Sequence, residues 1–260
     1  MKTIAIIPTY NERDNIPSLV ERLLALPLDL DLFFIDDGSP DQTGQLLESM
    51  RATLPRLRVC HRHKKLGIGT AYRQAFRILL HEPYDRYIAM DADLSHPPES
   101  IPSLLEATNH ADLVIGSRYV ENGGSINCPA HRKLLSRIAN QLARLALGIT
   151  VRDATAGFRC YRRELLSTLD QIAIRSDGYS FQIEVTYVTQ ALGYRVREVP
   201  IIFHDRIHAE SKLGPSEILG AAQTLLRLGV HYAIGKAYPS RAAKFDPSLG
   251  SEVSAPGQHK

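Results

Sequence analysis

The sequence predicts an α/β fold: a mostly parallel sheet flanked by helices. Short apolar runs alternate with amphipathic stretches over the first 120 residues, the pattern of strand–helix repeats. Four of the five runs lead into charge or phosphate-friendly glycine. Right-handed crossovers place those run ends on one edge of the sheet. The fourth run stops on Asp91-Ala92-Asp93, and two carboxylates one residue apart at a sheet edge need a cation beside them.

The first strand, 3–7, opens on Pro8-Thr9-Tyr10-Asn11-Glu12. An amphipathic stretch at 16–26 separates it from strand 32–35, which runs into Asp36-Asp37-Gly38-Ser39-Pro40-Asp41. There Asp37 reads either as a ligand for a base or ribose or as part of a turn, since Gly-Ser-Pro-Asp starts turns and helices. A helix at 42–54 leads to strand 57–60, then to His61-Arg62-His63-Lys64-Lys65 and Gly67-Ile68-Gly69. Those glycines suit either a phosphate cradle or a helix entry, and the two histidines are expected in solvent. A helix at 70–80 precedes strand 87–90 and the aspartate pair; His96, followed by Pro97-Pro98, is not expected to be a ligand. A helix at 101–108 and strand 113–115 lead to Gly116-Ser117-Arg118-Tyr119.

The second half is less regular. Residues 130–147 read as a helix with Leu134, Leu135, Ile138, Leu142 and Leu145 on one face, and Gly148 suits its C-cap. A helix at 180–192, a strand pair around Pro200 within 195–203 and a weaker amphipathic stretch at 218–235 follow. From Tyr238 the chain turns polar, as a disordered tail would.

Composition narrows the function. At 260 residues, with 44% hydrophobic and 23% charged content, a real core is expected. A net charge of +3 without an aromatic-interleaved basic patch argues against nucleic acid. Cys60, Cys128 and Cys160 have no metal-ligand spacing and suit a reducing, cytoplasmic setting. The start has no signal pattern, and no run approaches the roughly 20 apolar residues of a membrane span. The aspartate pair suits Mg²⁺ or Mn²⁺, hard ions that also bind substrate phosphates. Arg118, with Arg132 and Ser136 four residues apart on one helix, forms either a second phosphate site or a solvated basic face. The lack of a glycine fingerprint after the first strand speaks against a nicotinamide enzyme.

Six stretches bring a family into view: Pro8-Thr9-Tyr10-Asn11-Glu12, Asp36-Asp37-Gly38-Ser39-Pro40-Asp41, Met90-Asp91-Ala92-Asp93-Leu94-Ser95-His96-Pro97-Pro98, Gly116-Ser117-Arg118-Tyr119, Ala156-Gly157-Phe158-Arg159 and Ser211-Lys212-Leu213-Gly214. In these the chain resembles the family-2 inverting glycosyltransferases, and within them the polyprenol-phosphate (dolichol-phosphate) mannose synthases. The resemblance implies a GT-A-type, Rossmann-like domain over 1–214, an amphipathic helical segment at 215–237 touching a membrane or partner, and a tail at 238–260.

It also implies roles. Pro8, Tyr10, Glu12, Ile35 and Asp37 would hold the nucleoside of GDP-mannose, and Asp91, Ala92 and Asp93 its diphosphate. Arg206 and Lys212 would close on that diphosphate, in a loop with Ala209 where relatives usually carry Gly. Asp93, Asp91 and Ser95 (often Gln in relatives) would bind the metal. Arg118, Arg132 and Ser136 would grip a polyprenyl phosphate, and Asp91, Asp93 and Arg118 would carry catalysis. A lipid acceptor implies peripheral attachment at the cytoplasmic face of a membrane, directly or through a membrane-anchoring subunit. A UDP-sugar donor and a non-catalytic nucleotide-sugar module are the competing expectations.

Overall fold

The computed structural model describes residues 1–205, 220 and 223–230. Its centre is a seven-stranded sheet in the order β3-β2-β1-β4-β7-β5-β8. These strands are β1 (Thr3–Thr9), β2 (Leu30–Asp36), β3 (Leu57–His61), β4 (Arg86–Ala89), β5 (Leu113–Ser117), β7 (Arg159–Arg162) and β8 (Val196–Pro200). All pairings are parallel except those of β7, which is antiparallel to both β4 and β5. A second, two-stranded parallel sheet joins β6 (Gly124–Ile126) to β9 (Ile202–His204).

Alternation along the central strands fills both faces, as a doubly covered sheet requires. Ile4, Ile6, Phe33 and Ile35 enter one core with Tyr72, Phe76 and Leu79 of α3 (Ile68–Leu79), Leu165 of α6 (Arg163–Asp170) and Phe181 of α7 (Gly178–Ala191). Ala5, Ile7, Leu32 and Phe34 enter the other with Leu19 of α1 (Ile16–Leu24), Leu47 of α2 (Thr43–Arg51) and Leu104 of α4 (Ile101–Ala107). Each large buried side chain contributes about 2 kcal/mol. The long α5 (Ala130–Leu147) has the expected bounds and ends on Gly148 at φ 64°. Its Leu134, Leu142 and Leu145 remain 51–74% exposed.

One expectation is corrected. The strands flanking Pro200 do not pair with each other: β8 extends the main sheet beside β5, and β9 leaves it for β6. Pro200 donates no N–H to a ladder, and the next residue, Ile201, donates to the Ser117 carbonyl while accepting from Gly124. β6, β7 and α6 were not anticipated. The β7 segment, Arg-Cys-Tyr-Arg, hides its strand pattern behind two arginines, and Arg159 is nonetheless fully buried. Burial pushes the Arg159 guanidinium below its ordinary pKa. Its donors hold the Ala154 and Ala156 carbonyls at 2.7 and 2.8 Å, bracing the loop that enters the strand.

Arg163, at the start of α6, closes the chain past the end of α3. Its guanidinium donates to the carbonyls of Leu80, Glu82 and Tyr84. Replacement by Ala leaves those acceptors without this donor. Arg163→Ala should cost about 2–3 kcal/mol, measured as a lower urea midpoint at unchanged slope.

Candidate active site

Parallel strands deliver the C-terminal ends of β1, β2, β3, β4 and β5 to one edge. Because β7 runs the opposite way, its entrance, Asp153 to Phe158, reaches that same edge. The site is therefore built from six strand ends.

The β1–β2–β3 end carries Tyr10, Glu12 and Asp37. Asp36 is committed to the turn: its carboxylate accepts the N–H and hydroxyl of Ser39. Gly38 stands at φ +69° with Arg62 and His63 carbonyls against it, so a Cβ there would lie 3.0 Å from Arg62 O. Asp37 is thereby set apart from the turn and pairs with Arg62 at 2.7 Å, both side chains under 10% exposed. Burial raises the Asp37 carboxyl above its usual range, and Arg62 opposes that rise. Leu66 N–H and Thr70 extend this network into the entry of α3. Lys65 lies 4.3 Å from the Tyr10 ring centroid. Glu12 is buried and accepts from Asn15.

Three neighbours here have structural duties. Ile35 is fully buried, so its side chain belongs to the core and only its main chain faces this edge. Gly69 admits Asp177 and Phe181 rather than lining a cradle; a Cβ would sit 2.8 Å from Asp177 Oδ1. His61, expected in solvent, meets Glu48 at 2.9 Å.

At the end of β4, Ala92 turns into the core, 2% exposed, while Asp91 and Asp93 flank it. The buried imidazole of His96 accepts the Asp91 N–H on Nδ1 at 3.0 Å. Its Nε2 stands 3.9 Å from Asp91 Oδ2, and the ring stacks on Phe158 at 5.1 Å. His96 thus sits beneath the aspartate loop as its support. Asp93 Oδ1 accepts both the N–H and the hydroxyl of Ser95, at 3.0 and 2.6 Å. Ser95, 1% exposed, stands behind Asp93 as its hydrogen-bond donor.

Arg118 follows β5. Its Nε and Nη2 bind the two oxygens of Asp153, each at 2.7 Å, and Nη2 also reaches Ser136 and Thr155. The rings of Tyr119 and Phe203 lie 5.1 and 5.4 Å from the guanidinium. Arg132 pairs with Asp205 at 2.7 Å. Asp91, His96, Arg118, Arg132 and Ser136 line one cleft of about 280 Å³, whose far wall is Leu135, Ile138, Ala139 and Leu142 of α5. Gly157 borders it, with His96 and Asp91 the nearest neighbours of an added Cβ.

Asp153 and Asp205, the carboxylates that hold these arginines, were not singled out in the sequence. The available signal was their position, one just before the Gly-Phe-Arg stretch and one next to Arg206. Arg206, Lys212, Ala209 and most of 215–260 lie outside the described residues. Among the described residues no three His, Cys, Asp or Glu side chains form a metal cage.

The profile described as glycosyl transferase family 2 matches residues 4–170. The chain belongs to glycosyltransferase family 2. This glycosyltransferase is 43% identical over 230 residues to the undecaprenyl-phosphate mannosyltransferase of Micrococcus luteus, covering 88% of this chain and 95% of that one. It is 42% identical to the polyprenol monophosphomannose synthase of Mycolicibacterium smegmatis, over 91% of this chain and 90% of that one. Its fold is shared with glucosyl-3-phosphoglycerate synthase of Mycobacterium tuberculosis in complex with UDP: TM-score 0.63, 22% identity, covering 88% of this chain and 80% of that one. It is also shared with a mannosyltransferase from Pyrobaculum calidifontis in complex with GDP-Man and Mn²⁺: TM-score 0.56, 18% identity, covering 92% of this chain and 66% of that one.

The Arg118–Asp153 pair has a pH signature. Burial works against the Asp153 charge, but Arg118 and hydrogen bonds from Arg118 and Thr155 outweigh it and hold the carboxyl below its ordinary range. A depressed folded pKa contributes stability above the unfolded value, about 3.9, and loses it as pH falls through the folded value. Asp153→Asn should cost about 3 kcal/mol at pH near 7. It should also flatten the loss of stability on acidification below about pH 4, read by urea unfolding across the acid range.

Proposed function

We propose that this family-2 glycosyltransferase moves mannose from GDP-mannose to a polyprenyl monophosphate, inverting the anomeric carbon. The observation that carries the reading is the cleft that puts Asp91 beside Arg118, Arg132 and Ser136 and continues along the apolar side of α5. An anionic head on a hydrocarbon tail matches that lining. Two relatives above 40% identity, each spanned over at least 90% of its length, carry names for mannosyl transfer onto such lipids.

Residues 1–214 would form the catalytic unit. Tyr10, Glu12 and Asp37 would hold the nucleoside, with Pro8 and Ile35 shaping the strand ends around it. Arg206 and Lys212 would close over the diphosphate. The donor set fits a divalent ion: Asp91 and Asp93 are hard oxygen ligands, and without a third acidic, His or Cys partner among the described residues the remaining positions suit phosphate oxygens and water. Ser95 orients Asp93 and stands next to that site. When bound, Mg²⁺ or Mn²⁺ neutralises charge on the leaving diphosphate; a structural neighbour is in complex with Mn²⁺.

Arg118, locked by Asp153, and Arg132 would orient the acceptor phosphate for in-line attack, which is catalysis by proximity. A phosphate monoester, with a second pKa near 6, is already an anionic nucleophile at neutral pH. No side chain is needed as a general base. Asp205 would yield Arg132 to the incoming phosphate.

No described helix is long and apolar enough to cross a membrane. The exposed leucines of α5 instead suit contact with a bilayer surface, here the cytoplasmic face. Flotation of the isolated chain with vesicles distinguishes direct contact from docking on a separate membrane subunit.

The purified chain, given radiolabelled GDP-mannose, Mn²⁺ and a polyprenyl phosphate, should yield a mild-acid-labile labelled lipid. Chelation with EDTA should abolish the product, and Asp93→Asn should lower turnover by on the order of 100-fold. Turnover of UDP-glucose with none of GDP-mannose would move the reading to a UDP-sugar donor. Binding of GDP-mannose without any transfer would make the chain a non-catalytic module.

A further inference from the structure

A second hollow, about 440 Å³, lies on the other flank of α5, between that helix and the loop after β5. Arg137, Arg144 and Arg152 border it, and Arg118 forms a wall shared with the acceptor cleft. No Asp or Glu among the described residues lines it. Elsewhere Arg22, Arg58, Arg62, Arg73, Arg118, Arg132 and Arg227 each hold a carboxylate within 3 Å. The Arg137 guanidinium lies 5.8 Å from the Tyr119 ring centroid. Like charges around one concavity repel, and a concave wall concentrates their field on whatever enters.

Placement points to the ligand. Arg137 and Arg144 are seven residues apart, two helical turns, so they share one side of α5. Next to that side runs the exposed stripe of Leu134, Ile138, Leu142 and Leu145, of which Ile138 and Leu142 also wall the acceptor cleft. An apolar stripe bordered by guanidiniums is the arrangement that seats a helix among anionic lipid headgroups. Guanidiniums bind phosphate oxygens bidentately.

We propose that Arg137, Arg144 and Arg152 form a second anion site for a phosphate group, beside the acceptor cleft and sharing the Arg118 wall with it. Its natural source is an anionic lipid headgroup next to the stripe; a free phosphate has the same chemistry. The site does not depend on the sugar or acceptor proposed above, and its test reads binding without turnover.

The full chain and the triple variant Arg137→Gln/Arg144→Gln/Arg152→Gln are sedimented with phosphatidylcholine vesicles, with and without phosphatidylglycerol. A control loses equal charge elsewhere, through Arg56→Gln/Arg77→Gln/Arg197→Gln. In parallel, inorganic phosphate is titrated against all three in a thermal-shift assay. A lipid site predicts that the triple variant loses on the order of 100-fold in affinity for the anionic vesicles, while binding to neutral vesicles and the control's binding hold. A site for free phosphate predicts a phosphate-dependent rise in melting temperature for wild type and control that the triple variant lacks, with equal vesicle binding by all three. Losses in the control equal to those in the triple variant, or no difference among the three proteins in either assay, would overturn the proposal.

Discussion

A charge that cannot be left alone in the interior organises this molecule. Asp153 is fully buried, and an isolated carboxylate there would be costly without a paired cation. Arg118 is that partner, and satisfying the pair recruits four parts of the chain. The arginine comes from the end of β5, the aspartate from the loop entering β7, and Ser136 and Asn140 from α5. Glu198 of β8 fixes the aspartate's own loop by accepting the N–H groups of Arg152 and Asp153. The Arg118 side of the cleft therefore inherits its shape from an electrostatic requirement.

The same logic separates the two ends of the site. At the β4 end, carboxylates are presented outward, Asp91 over the imidazole of His96 and Asp93 on Ser95. At the β5 end, guanidiniums are presented outward, each backed by an acid. Hydrogen bonds and ion pairs fix the orientation of both groups. A single antiparallel strand makes this possible. If β7 ran with its neighbours, the Asp153–Phe158 segment would lie at the opposite edge, and Arg118 would lack its partner.

Much of this was legible in local pattern. The alternating strands carry their signal in the residues themselves: Ile4 and Ile6 face one core, Ala5 and Ile7 the other. The helix at 130–147 announced both its apolar stripe and its glycine stop. The aspartate pair stood out because a strand ending in two acids is an electrostatic oddity without a cation. What stayed hidden were residues whose meaning depends on distant partners. Arg159 reads as a surface residue until the backbone of residues 154–156 folds around it. His96 is one among ten histidines until Phe158 and Phe203 close on its ring.

By itself, then, the sequence determined which elements form, their order and which chemical groups their ends carry, because periodicity, turn residues and side-chain charge are local properties. Only the tertiary structure decided which charges meet. It assigned Asp153 to Arg118, Asp205 to Arg132 and Arg62 to Asp37, and it gave Arg137, Arg144 and Arg152 a common hollow without an acid among the described residues. Pairing across 25 to 73 positions of chain depends on strand order and direction. Those are set by the packing of the whole core, which no short stretch encodes.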